Sequence, residues 1–196
     1  MPRSSAPDTY ARRVSDPLEV KPENLDDAMW DAFVQHRDTF LAANTAEPRN
    51  LSTIIGFAKE MCESLAKIVL VTRGETIGSA AKYPSLIATA HEKLGLHPKN
   101  LASDSASRTI AQSLMSLATS LGELRLNYGT GHGRAEAVYA TEDHAELAID
   151  AAQAWCRYAL RRLPAFLLGN IEPIIAKLRQ GVWRSGDLVS WKVEAP

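Results

Sequence analysis

Apolar residues recur every third or fourth position through most of the chain, and that period predicts a run of helices. From Asp26 to about Ala43 the repeating positions are Met29, Trp30, Phe33, Phe40 and Leu41. Pro48 opens a second helix, since proline suits a first turn. Its core face is Ile54, Ala58, Met61, Leu65 and Ile68, with Ile55, Cys62 and Val69 beside it, and it stops near Arg73-Gly74. A third, short helix runs from Pro84 to Leu96. A fourth follows the Ser/Asp cluster at 103–105, with the seam Ile110, Leu114, Leu117, Leu121 and Leu124, and breaks at Gly129-Thr130-Gly131. Thr141-Glu142-Asp143 caps a fifth helix with two apolar stripes, Ala148/Ala151/Trp155/Tyr158 and Ile149/Ala152/Cys156/Leu160/Leu163. Two stripes imply burial on two sides. Pro164 starts a sixth helix, 165–179.

The ends read differently. Residues 1–25 hold four of the ten prolines and no apolar stripe, so they are expected to be a flexible arm, dispensable for folding. In the tail 181–196, Val189, Trp191 and Val193 alternate with polar residues, and Ser185-Gly186-Asp187 turns a short C-terminal hairpin. Residues 26–180 then form an all-α antiparallel bundle of five to six helices.

Composition narrows the function classes. Lys+Arg 22 against Asp+Glu 23 gives no whole-molecule field to draw the chain to nucleic acid. Cys62 and Cys156 cannot build a disulfide framework. His36, His91, His97 and His144 have no ligand-like spacing with them, so neither a metal nor a cofactor is expected. No apolar run approaches the ~20 residues of a membrane span, and Met1-Pro2-Arg3-Ser4-Ser5 leads into no signal region. The expectation is a soluble, cytoplasmic protein.

The candidate chemistry lies in Glu123-Leu124-Arg125-Leu126-Asn127-Tyr128-Gly129-Thr130-Gly131-His132-Gly133-Arg134. Arg125 ends a helix, and His132 follows in a glycine-rich turn. Gly131 and Gly133 remove bulk around the imidazole, so a phosphate with its sugar can approach it and the nearby N–H groups. Histidine moves protons near neutral pH, and arginine forks onto phosphate oxygens. On the face of Arg125 sit Ala118, Gly122 and Gly129, a small-residue strip open to a neighbouring helix or to the same helix of a second chain. Glycine-rich loops after helices are commonly C-caps, and a lone Arg…His pair is common by chance.

This stretch resembles the motif of the abortive infection C-terminal domain (Abi_C), a bacterial family associated with phage defence. The matching positions are Leu124, Arg125, Gly129, Gly131, His132 and Gly133. Residues 58–70 are similar to the family's opening helix and residues 145–152 to its closing helix, so the resemblance covers about residues 53–168. It implies a HEPN-like bundle. In many members of that group an Arg and a His four to six residues apart cleave RNA without metal, generally at a homodimer interface. Six residues separate Arg125 from His132. The resemblance makes His132 the general acid/base and Arg125 the phosphate clamp; Asn127 is expected to assist, and Arg134 to bind phosphate beside Gly131 and Gly133. Two positions depart from the pattern. The family's polar residue after the Arg is Leu126 here, with Asn127 one step later, and a tyrosine some toxins carry after the His is Arg134.

Glu63 and Lys67 form an i,i+4 pair that is either a solvated salt bridge or a support that crosses the bundle to order Arg125. The arginines and lysines of 157–192 are either a solvated face or a track for an RNA backbone, and Trp183 and Trp191 either cover a seam or stack on bases. Two functions follow as expectations: a metal-independent endoribonuclease of phage defence acting on RNA as a homodimer, or a non-catalytic RNA-binding or dimerisation module working with a defence-system partner.

Overall fold

The computed structural model describes residues 16–96, 101, 105–129 and 138–164. The described part is all helical. Its elements are α1 Asp27–Thr45, α2 Leu51–Thr72, α3 Tyr83–His91 extended by a π-type turn Glu92–Leu96, α4 Ser105–Tyr128 and α5 Glu142–Arg162. The sixth helix, the C-terminal hairpin and residues 1–15 of the arm lie outside the described residues.

Local chemistry sets the helix ends. The Asp26 carboxylate accepts the Met29 N–H and starts α1. Pro48 does not open α2; the Asn50 side chain caps it by accepting the Thr53 N–H, which puts the first turn at Leu51. At the far end Gly74 takes a left-handed φ of 72°. That turn lets the Gly74 N–H reach Val71 O and the Glu75 N–H reach Leu70 O, closing the last carbonyls of α2.

α2 is the centre of the bundle and packs against α1, α3, α4 and α5. Every residue of its expected core face is buried, from Ile54 to Val69. α5 packs on both α2 and α4, as its two stripes require, with Trp155 at the centre and Tyr158 at the margin. Where α2 and α5 meet, the fully buried Cys62 and Cys156 bring their Sγ atoms to 3.7 Å as free thiols.

α4 corrects the reading of its seam. Ile110 is 63% and Leu117 46% exposed; the residues that face inward are Ala111, Ala118 and Leu121. Ala118 and Leu121 join the core and Leu124 packs at its margin, and beside them small residues form the contact line to α3, which lies close there. The Tyr83 hydroxyl donates to Ala118 O at 2.7 Å, and a Cβ on Gly122 would sit 2.8 Å from the Tyr83 ring. The small-residue strip therefore receives a helix of its own chain. Tyr83 cannot withdraw without giving up its bond to the Ala118 carbonyl. Gly122→Leu is expected to destabilise the fold by about 1–3 kcal/mol, the usual cost of overpacking. A urea melt checks this, and an unchanged midpoint would place the strip at an interface between chains instead.

The arm also needs correction. Residues 16–25 dock on the bundle: Leu18, Pro22 and Leu25 are buried. Asp16 takes a two-pronged pair from Arg157 of α5, Nε at 3.0 Å and Nη2 at 2.8 Å. Arg37 of α1 donates to the Leu18 carbonyl at 2.6 Å. Between Leu18 and Leu25 the positions at helical spacing from each are Lys21 and Pro22, so no apolar stripe joins the two leucines and nothing in the pattern marks the segment as core.

Candidate functional site

α4 ends in the turn that carries the motif arginine. Arg125 is half-buried, and the Gly129 N–H donates to its carbonyl at 2.8 Å. A Cβ on Gly129 would lie 2.6 Å from Arg125 O and 2.8 Å from its Cγ. Only glycine leaves room there for both the carbonyl and the stem of the arginine, which gives this motif glycine a physical reason. Among the described residues the Arg125 guanidinium makes no ion pair, so the fork is uncommitted within them.

Asn127, two residues on, is turned ~200° round the helix from Arg125. It lines an open groove of about 920 Å³ that runs along α4 from Arg108 past Leu117, Leu124 and Asn127, with Leu147 and Ala151 of α5 on the other wall. Leu126, in the position where the polar residue was expected, is 58% exposed. His132, Arg134, Gly131 and Gly133 lie outside the described residues.

Glu63 is held between two lysines of its own helix, Lys59 and Lys67, the latter at 2.7 Å. Burial works to raise the Glu63 carboxyl, but the two ammonium groups outweigh it and hold it below the usual carboxylate range. Lys59 also lies 4.9 Å from the centroid of the Tyr83 ring. The cluster thus ties α2 to the tyrosine that fits into α4. No hydrogen bond or ion pair joins Glu63 or Lys67 to Arg125 among the described residues.

The start of α5 is pinned from two sides. Arg49, in the α1–α2 connection, donates to Glu142 at 2.9 Å and Glu146 at 2.8 Å. The Thr141 cap is closed by His144: the Thr141 N–H donates to His144 Nδ1 at 3.2 Å. The same imidazole stacks on Tyr128, the last residue of α4, with ring centroids 3.9 Å apart and planes at 24°. Sequence reasoning missed this contact. Its trace was the spacing Thr141-x-x-His144, which resembles a capping box with histidine where Glu or Gln is usual.

Among the described residues no three His, Cys, Asp or Glu side chains form a metal-ligating cluster, and no helix is long and apolar enough to cross a membrane. The profile of the Abi_C family, a HEPN-like domain, matches residues 35–163, beginning inside α1 and so earlier than the segments that carried the resemblance. Comparison with curated proteins and with solved structures gives no match.

Proposed function

The chain belongs to the Abi_C family of HEPN-like domains, and from that premise we propose that it is a phage-defence protein acting in the cytoplasm as a metal-independent endoribonuclease. The observation that carries the reading is the end of α4: an arginine with no ion pair among the described residues, on a turn whose glycine admits nothing larger. In the reaction His132 takes the proton of the RNA 2′-hydroxyl. The 2′ oxygen forms a bond to phosphorus, the bond to the 5′ oxygen breaks, and that oxygen regains a proton. Arg125 holds the phosphate oxygens as charge develops on them. Arg134, Gly131 and Gly133 bind the phosphate, and Asn127 assists. End-group analysis of cleaved RNA is the test: a 2′,3′-cyclic phosphate and a 5′-hydroxyl are expected, unchanged by excess chelator, with DNA inert. Cleavage only on adding metal overturns the proposal.

A specific observation favours a second reading, a non-catalytic RNA-binding or dimerisation module that serves a partner of the defence system. Leu126 replaces the polar residue beside the arginine, and Asn127 lines the groove, turned away from Arg125. Binding of RNA without any cleavage by the wild type selects it.

In either reading the chain acts as a homodimer. Support comes from the exposed Leu117 and Leu147, which line the groove where α4 meets α5, and from the exposed Ile110, about two turns before Leu117 on α4. Light scattering at micromolar concentration is expected to give a dimer, and Leu117→Asp together with Leu147→Asp a folded monomer. A wild-type monomer refutes this assembly.

A further inference from the structure

We propose that His144 is a positioning residue for Arg125, acting through Tyr128; the inference rests on the reading of Arg125 as a phosphate clamp. The last turn of a helix has no following turn to hold it and is where helices fray. In α4 that turn carries Arg125, and the residue one turn further on, on the same side, is Tyr128. What Tyr128 rests on therefore decides whether the turn stays formed. It packs against the margin of the core and stacks on one imidazole, with centroids 3.9 Å apart.

That imidazole is itself fixed. Nδ1 of His144 accepts the Thr141 N–H at 3.2 Å, so Nδ1 carries no proton, and the neutral ring carries its proton on Nε2. The Thr141 Oγ1 lies 3.1 Å from the same nitrogen. Arg49 holds Glu142 and Glu146 on either side of it in sequence, so the first turn of α5 is anchored to the α1–α2 connection. The order of support runs from Arg49 to the start of α5, to the ring of His144, to Tyr128, and to the turn in which the Gly129 N–H closes on Arg125 O. A glutamate at position 144 would cap α5 as well as histidine does. It would offer Tyr128 no face to stack on. The histidine serves two helix ends where the usual capping residue serves one.

The variants separate these two duties. His144→Glu keeps the cap and removes the ring. Tyr128→Leu removes the other ring, and Tyr128→Phe keeps the stack. The first readout is amide exchange at Gly129, whose N–H reports the Arg125 turn directly. Exchange is expected to speed up in His144→Glu and Tyr128→Leu and to stay at the wild-type rate in Tyr128→Phe. The second is RNA cleavage at saturating and limiting RNA. Misplacing a clamp by about 1 Å costs up to ~10²-fold, so kcat should fall on the order of 10-fold or more with KM little changed, and Tyr128→Phe should restore it. The third is the ¹⁵N spectrum of the histidines, in which the wild-type His144 ring should show an unprotonated Nδ1. Gly129 exchange unaffected by loss of either ring overturns the proposal, as does a protonated Nδ1. If the wild type cuts no RNA, the ribonuclease reading fails while the exchange and ¹⁵N results still decide the role of His144.

Discussion

His132→Ala is expected to slow RNA cleavage by about 10²- to 10⁴-fold, the range positioned acid–base groups contribute, while RNA binding falls much less. The separation follows from the chemistry. A histidine that moves a proton acts at the transition state, whereas ground-state affinity for RNA comes mainly from contacts to phosphates. Arg125→Lys should fail comparably in cleavage. Lysine keeps the charge but is a point donor on a flexible stem, and the planar fork is what matches two phosphate oxygens at once. The arginine is already half-buried against Gly129, so its stem has little freedom to let a shorter cationic head find the same place. Single-turnover cleavage beside filter binding measures both quantities. Equal losses in binding and cleavage for His132→Ala would show that the imidazole merely holds RNA.

Replacing both Leu18 and Leu25 by alanine should destabilise the bundle by about 4 kcal/mol or more, since one buried leucine truncated to alanine costs ~2–5 kcal/mol. The two are 5% and 3% exposed, and both belong to the main core cluster. Against a total of ~5–15 kcal/mol this is a large share, and it should lower the thermal midpoint by about 10 °C. Asp16→Asn in the same segment should cost less, because its pair with Arg157 is about one-third exposed and screened. It has a pH signature instead. The Arg157 guanidinium, through its hydrogen bonds, holds the Asp16 carboxyl below its ordinary value, with burial opposing. The pairing therefore stabilises the fold fully above the ordinary carboxylate range and is lost as pH falls through the lowered value. Thermal midpoints of wild type and Asp16→Asn should converge on going from neutral pH to about pH 2. Unchanged stability of the double leucine variant would return residues 16–25 to the status of a loose arm.

Helix α2 was legible residue by residue because it is surrounded: nearly every apolar position finds a neighbour, so hydrophobic period and burial coincide. α4 was legible as a helix but not in its orientation. Its large side chains draw the eye to Ile110 and Leu117 as well as to Leu121, while the packing runs through Leu121, Ala118 and Gly122, and at the last two the absence of side chain is the feature that matters. Pattern reading weights bulk, and close approach of Tyr83 needs the opposite. The docked segment at 16–25 was missed for a related reason, since its support comes from partners remote in sequence, Arg37 and Arg157. At the site, the arginine and its glycine were readable from the motif. The orientation of Asn127 and the stack of Tyr128 on His144 were not, because both depend on how the end of α4 meets the start of α5.

Cys62 and Cys156 give the bundle an internal reporter of its own opening. Both thiols are fully enclosed, one on each helix of the most extensively packed pair, α2 and α5. Alkylation proceeds through the thiolate, and burial pushes the Cys156 thiol well above its ordinary range. No reagent can reach either sulfur until α2 and α5 part, and parting them exposes the centre of the core. The rate at which the folded protein loses its two thiols to an alkylating reagent is then the intrinsic rate multiplied by the fraction of molecules open. Two native cysteines, with no added label, convert the free energy that holds the centre of this fold together into a rate.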